Sequence, residues 1–207
     1  MTLDLLIFYG SVRSERQGIR AARFVEHQCR ARGHDVLLVD PLELQLPLLD
    51  KMYKEYAPGE APAPLERLAE RVRRADAYIV VSGEYNHTVP PALSNLLDHF
   101  LEEYFNKPSA IACYSAGHFG GVRAAMTLRG MLSEMGMSSI PSIFPVPRVQ
   151  DAFAEDGTPT DTAWEDRAEK FLDELEWYAR ALKAARQQDA AGERSECEAQ
   201  ALVQSAR

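Results

Sequence analysis

Cysteine is scarce in this chain of 207 residues. The three present, Cys29, Cys113 and Cys197, are odd in number and scattered, with no Cys-x-x-Cys pair. That excludes a disulfide framework as the basis of the fold and fits a reducing compartment. Histidine is almost as sparse, five residues with no His-x-x-x-His or Cys/His ligand spacing, so no metal site is expected. Positive charge is in deficit: 23 Lys plus Arg stand against 31 Asp plus Glu, for a formal charge of −8. A general nucleic-acid surface needs a basic face, and that partner is not expected. No apolar run approaches the roughly 20 residues of a membrane-spanning helix. The N-terminus enters a strand pattern almost at once, with no basic segment or cleavage-site pattern ahead of it. The expectation is a cytoplasmic protein with no membrane partner. There are no internal repeats.

What is present is a globular composition, 46% hydrophobic and 26% charged, long enough for one domain with a substantial core. Leu5-Leu6-Ile7-Phe8-Tyr9 reads as a first strand. The loop Gly10-Ser11-Val12-Arg13-Ser14-Glu15-Arg16-Gln17 follows, and a helix begins near Gly18. Ile19, Ala22, Val25 and Cys29 recur at helical spacing up to an Arg32-Gly33 stop, and His34 to Val39 reads as a second strand. Residues 41–60, rich in proline, predict an irregular connection. A helix with Leu65, Leu68, Val72 and Ala75 on one face follows, and its arginines 67, 71, 73 and 74 read as a solvated face. Ala77 to Val81 is continuously apolar and β-branched, the pattern of a strand buried on both faces of a parallel sheet. Glu84-Tyr85-Asn86-His87 follows it, before a helix introduced by Pro90-Pro91. Ala110 to Tyr114 is the fourth strand, leading into Ser115-Ala116-Gly117-His118-Phe119-Gly120-Gly121 and a helix through Leu128 and Leu132. Ser138 to Phe144, interrupted by proline, predicts a short or edge strand. Thr162 and Glu165 are spaced as the capping box of a last helix. Residues 1–186 are expected to form the domain. The Ala/Gln/Glu/Ser-rich residues 187–207 are expected to be disordered or a loosely attached helix.

Five strands alternating with helices predict an α/β fold, a doubly wound five-stranded parallel sheet with helices on both faces. Ligands of such sheets bind outside the carboxyl ends of the strands, where strand order reverses. In a flavodoxin-like order, strands one, three and four are neighbours, so the loops after them converge on one crevice. The first loop supplies the parts of an anion cradle: free N–H groups of a helix N-terminus, the Ser11 hydroxyl, and a guanidinium from Arg13 or Arg16. It is neither a Walker A loop nor a G-x-G-x-x-G fingerprint.

With these loops in view, the chain resembles the NADPH-dependent FMN reductase family, a flavodoxin-like group of quinone, azo-dye, chromate and free-flavin reductases. Gly10-Ser11-x-Arg13 resembles its phosphate loop. Glu84-Tyr85-Asn86, with Pro90-Pro91-Ala92-Leu93-Ser94-Asn95-Leu96-Leu97-Asp98, is similar to its second signature, and Ser115-Ala116-Gly117-x-x-Gly120-Gly121 to its third. The resemblance covers residues 3–183. It implies FMN as cofactor, NADPH or NADH as co-substrate, and a small-molecule electron acceptor reached in a ping-pong scheme. It also implies a homodimer or homotetramer. The FMN phosphate would lie among Ser11, Arg13, Gln17 and Gly18, and the flavin ring over Glu84, Tyr85, Asn86 and His87. Ser115, Gly117, Gly120 and Gly121 would lie beside the ring. No catalytic side chain is implied, because the cofactor carries the hydride chemistry. Arg123 and Arg129 are candidates for the nicotinamide 2′-phosphate. Two positions depart from the family pattern: Gly83, where relatives often have proline, and Gln17, where many have serine or threonine.

Two other readings bear on the same residues. Cys113-Tyr114-Ser115-Ala116-Gly117 superficially matches a nucleophile elbow, but Cys113 replaces the first glycine and no histidine follows His118 to complete a triad. The alternative of weight is a flavodoxin-like FMN-binding electron carrier without NAD(P)H turnover. Carriers commonly clamp the ring between aromatic residues, and here Tyr85 and Phe119 are the aromatics on the ring-side loops.

Overall fold

Strands β1 (Asp4–Tyr9), β2 (Asp35–Val39), β3 (Ala77–Gly83), β4 (Pro108–Tyr114) and β5 (Ser138–Val146) form one sheet in the order β2-β1-β3-β4-β5. Every pairing is parallel. The computed structural model describes the backbone of residues 1–205 and the side chains of residues 1–191. All seven residues of β3 and all seven of β4 are buried, as the apolar runs 77–81 and 110–114 within them require of strands covered on both faces.

Alternation along the strands divides the core in two. Leu5, Ile7, Tyr9, Ile79, Val81, Ala112 and Tyr114 point to one face, beneath helices α1 (Ile19–Ala31) and α7 (Ala163–Ser205). Leu6, Phe8, Tyr78, Val80, Ile111 and Cys113 point to the other, beneath α3 (Ala63–Arg74), α4 (Pro91–Asp98) and α5 (Val122–Glu134). Each large apolar side chain so buried contributes about 1.5–3 kcal/mol. On the first face Phe24 of α1 stacks on Phe144 of β5 and on Phe153, and Trp164 packs against both of the latter rings.

Four expectations are refined. Residues 41–60 are less irregular than their prolines suggest. They hold a helical turn, α2 (Pro41–Leu44), capped by Asp40 at 2.9 Å from Leu42 N, and a 3₁₀ turn at Tyr53–Glu55. Strand β5 does lie at an edge, but at nine residues it is long, its prolines accommodated by an outer position and by a register shift opposite Ser109 and Ile111. Arg71 and Arg74 are not merely solvated: they pair with Asp4 and Asp35 across the N-terminal edge of β1 and β2. A further turn, α6 (Val149–Ala152), follows β5. Helix α7 is capped by Asp161, whose Oδ1 accepts from Ala163 N at 2.9 Å, rather than by the Thr162 hydroxyl. The expected tail at 187–207 lies, from residue 192 in its side chains, outside the described residues.

One ion cluster ties three elements together. The Glu176 carboxylate of α7 accepts from Arg32 Nε at 2.5 Å, His34 Nε2 at 3.0 Å and Arg180 at 2.6 Å. Burial alone would raise this carboxyl, but the three hydrogen bonds outweigh it and draw it down from the ordinary 4.5 to about 2. A carboxyl depressed by folding stabilises the native state above its unfolded pKa, and that contribution is lost as pH falls toward its folded one. Between pH 5 and pH 3 the urea midpoint of wild type is therefore expected to fall more steeply than that of Glu176→Gln. The variant should lose about 2 kcal/mol at neutral pH, after allowing for solvent screening.

Candidate functional site

Three loops leave the carboxyl ends of adjacent strands: residues 10–18 after β1, 84–90 after β3 and 115–121 after β4. They enclose a cleft of about 330 Å³ lined by Ser11, Arg13, Gln17, Gly18, Glu84, Tyr85 and Ser115, together with Tyr114 and Val149; Glu15 and Arg16 of the first loop also border it, one charge of each sign. Gly117 is an exposed residue of the third loop.

The first loop keeps one cation free and uses the other. Arg16 forms a two-pronged pair with Asp40, both contacts 2.5 Å, and donates to the Ser11 carbonyl at 3.1 Å. It is a brace for the loop, and Asp40 holds it firmly protonated. Arg13 is exposed, and its guanidinium has no partner among the described residues. Gln17 starts α1 by accepting from Arg20 N at 3.2 Å. Gly18 caps that helix with no side-chain hydrogen bond, and no acidic residue lies in the first turn. The positive end of α1 is thus not neutralised by a side chain.

The second loop is a tight turn. Tyr85 and Thr88 exchange backbone hydrogen bonds at 3.0 Å, with Asn86 and His87 at φ 51° and 65°. Positive φ at both central positions is the type I′ geometry, which asparagine tolerates better than most residues. The Tyr85 N–H is thereby spent inside the turn, while Asn86 and His87 stand exposed at its tip. The Tyr85 hydroxyl meets Ser11 Oγ at 3.2 Å and joins this loop to the first.

Glu84 has a role its motif did not reveal. Its carboxylate accepts from Arg123 N at 3.1 Å and Ala124 N at 3.4 Å, and pairs with the Arg123 guanidinium at 3.3 Å. It caps α5 from another loop. In the third loop the Ser115 hydroxyl is likewise used internally, donating to the Gly117 carbonyl at 3.0 Å and accepting from Gly120 N at 2.9 Å. Gly121 has φ 78°, and a Cβ there would stand 2.7 Å from the Tyr114 carbonyl oxygen. Gly120 packs similarly on the backbone of Val146 and Pro147. Of the three glycines in that loop, Gly117 faces open space. Arg148 N and Val149 N hold the loop through the Gly117 and Ser115 carbonyls at 2.9 and 3.1 Å.

The remaining candidates sort clearly. Arg129 is tied to the Ile140 and Pro141 carbonyls at 2.7 and 3.0 Å. Arg123 lies 4.1 Å over the ring of Phe119, which is 62% exposed. His118 is exposed. Burial pushes the Cys113 thiol up to about 12, away from the thiolate form that a nucleophile needs. Among the described residues no cluster of His, Cys, Asp or Glu is arranged to hold a metal ion. No described helix is long and apolar enough to cross a membrane.

A profile of the NADPH-dependent FMN reductase family matches residues 3–151. The chain belongs to that family. Over 140 residues it is 31% identical to an NAD(P)H-dependent FMN reductase of Pseudomonas aeruginosa, a stretch covering 64% of this chain and 75% of that protein. It is 39% identical to a quinone reductase of Escherichia coli over 75 residues, 34% of this chain and 40% of that one. Among solved structures, FerB, a flavoenzyme NAD(P)H:(acceptor) oxidoreductase from Paracoccus denitrificans, superposes with a TM-score of 0.67 at 22% identity, covering 86% of this chain and 99% of that one. That likeness shows the fold. Membership makes the chain a flavodoxin-like oxidoreductase of the class that uses FMN and a reduced nicotinamide, and the carrier reading is not favoured.

The cap on α5 is open to direct measurement. Glu84→Ala is expected to cost about 1 kcal/mol of stability, within the 0.5–2 kcal/mol of a lost helix cap, and Glu84→Gln less because its amide oxygen still accepts. Urea unfolding of the flavin-free protein gives both values.

Proposed function

We propose that this reductase binds FMN in the cleft between the three loops, takes reducing equivalents from NAD(P)H, and delivers two electrons to a small acceptor such as a quinone. One observation carries the placement: the two helices whose N-termini meet at the cleft differ in how they end. Glu84 caps α5 from within the protein, whereas α1 carries no side-chain cap and stands beside the unpaired Arg13. An anion seated at α1 would meet the dipole and a charged fork together. Ser11, Arg13, Gln17 and Gly18 are the residues to hold the phosphate.

The ring then lies toward Tyr85, Asn86 and His87. The exposed N–H groups at the tip of the turn are suited to face the ring edge that gains negative charge on reduction. Gly117 leaves room beside it, while Ser115, Gly120 and Gly121 shape the loop that carries Gly117. FMN, when bound, supplies the two-electron hydride chemistry. The protein's own part is to anchor, orient and keep one face accessible. Phe119, exposed and covered on one side by Arg123, does not form an aromatic clamp with Tyr85. The nicotinamide and the acceptor would then use the same open face in turn, a ping-pong order. Arg123 is the remaining candidate for a 2′-phosphate, since Arg129 is committed to β5. Sequence relatives described as quinone reductases support the acceptor class. A dimer or higher assembly and a cytoplasmic location belong to the same reading.

Two measurements test it. FMN-loaded protein should oxidise NADPH with a quinone acceptor, with parallel double-reciprocal lines; intersecting lines would remove the ping-pong order, and no turnover with either nicotinamide would remove the reductase reading. Arg13→Ala should weaken FMN binding by roughly 1.5–3 kcal/mol, the worth of a hydrogen bond to a charged group. Equilibrium titration with unchanged affinity would take Arg13 out of the phosphate site.

A further inference from the structure

A chain of hydroxyl groups runs from the cleft into the core beneath it. Tyr9 ends β1 and Tyr114 ends β4, and although β3 runs between these strands their rings stack with centroids 6.3 Å apart. Two glycines clear the way. A Cβ at Gly83, the last residue of β3, would stand 3.1 Å from both Cζ and Oη of Tyr114, and one at Gly18 would stand 1.9 Å from Cζ. The Tyr114 ring therefore crosses the end of β3 and lodges against the N-cap of α1. Its hydroxyl donates to the Tyr9 hydroxyl at 3.5 Å, on the side of the cleft where Ser11 also lies. Ser11 Oγ lies 3.2 Å from the Tyr85 hydroxyl.

These contacts are long, since O–H···O bonds cluster near 2.7–2.8 Å. Tyr9, Ser11 and Tyr114 are 0%, 2% and 8% exposed, so water does little to make up the difference. The Tyr114 hydroxyl, held by its 3.5 Å contact to Tyr9, can turn to a stronger acceptor, and a group presenting several charged lone pairs at the cleft would take it. Burial raises the Tyr114 phenol well above its ordinary 10.0, which keeps it a proton donor.

We propose that Tyr114, with Ser11, hydrogen-bonds the FMN phosphate from beneath the first turn of α1, with Tyr9 supporting the Tyr114 hydroxyl from the core, and thereby selects the phosphorylated flavin over riboflavin. This rests on the FMN reading above. The two departures from the family pattern border the same place. Any Cβ at position 83, a proline's included, would crowd the Tyr114 ring, and Gln17 brings no hydroxyl to the loop. A hydroxyl delivered from β4 takes over that contact.

The experiment is a titration of flavin-free protein with FMN and separately with riboflavin, followed by flavin fluorescence, for wild type, Tyr114→Phe and Tyr9→Phe. Both variants keep the ring and lose only the hydroxyl. Tyr114→Phe is expected to raise the FMN Kd about tenfold with the riboflavin Kd unchanged, the loss of one bond to a charged acceptor. Tyr9→Phe should move the FMN-to-riboflavin ratio the same way by a smaller factor. If both flavins weaken equally in Tyr114→Phe, or neither moves, the hydroxyl does not read the phosphate and the proposal is overturned while the cofactor reading stands. Wild-type protein that takes up neither flavin would overturn the cofactor reading and the proposal with it.

Discussion

The Glu84 carboxylate, 3.1 Å from Arg123 N, decides which of two helix N-termini at the crevice stays open to an anion from outside. A helix start leaves up to four N–H groups unpaired and a partial positive charge behind them. With both starts open, the crevice would offer two competing anion sites. Capping α5 from the neighbouring loop closes one and fixes the spacing of the second and third loops together. Arg16 does the corresponding work for the first loop by turning back onto Asp40 and the Ser11 carbonyl, which leaves Arg13 as the exposed fork. The site is therefore selected as much by which polar groups are already satisfied as by which are free.

The same constraint explains why the cleft wall is built from glycine and tyrosine. Parallel strands buried on both faces place alternate residues above and below the sheet, and that alternation sends Tyr9 and Tyr114 to the face of α1. Strand β3 separates them. Their rings meet because Gly83 and Gly18 present no side chains in between. A bulky aromatic at the end of a central strand then becomes a polar surface under a helix start.

Much of this was legible in the sequence. Unbroken apolar runs gave the strands, loop composition gave the crevice, and local motifs gave its three walls. What escaped notice shares one physical property: it depends on partners far apart in the chain. Glu84 finds its donors some forty residues away, and nothing in a Glu-Tyr-Asn triplet says that its carboxylate points at a helix. Tyr114 reads as the last residue of a core strand, and Gly83 as a loosened turn, until the ring is seen lying over the glycine. Arg71 and Arg74 look like a solvated face because Asp4 and Asp35 lie on other elements. Val149 reaches the cleft from a turn with too few residues to show a period.

The opposite end of the sheet shows what a closed helix terminus looks like. There α3 ends beside Lys107, whose buried ammonium shares its three N–H groups among four acceptors, the carbonyls of Val72, Arg73 and Glu103 at 2.7–2.9 Å and the Tyr78 hydroxyl at 3.1 Å. Burial draws that amine down to about 8, a cost offset by satisfying helix carbonyls that would otherwise be stranded. Asp76 nearby is held by Lys183 at 2.7 Å and by Arg186 at 3.5 Å. One end of the sheet thus spends charged side chains on its helix terminus, and the other leaves α1 without one. Helices α3 and α4 also start without a side-chain cap, but each does so behind prolines; of the two helix starts that border the cleft, α5 is capped by Glu84 and α1 stands bare beside an exposed arginine.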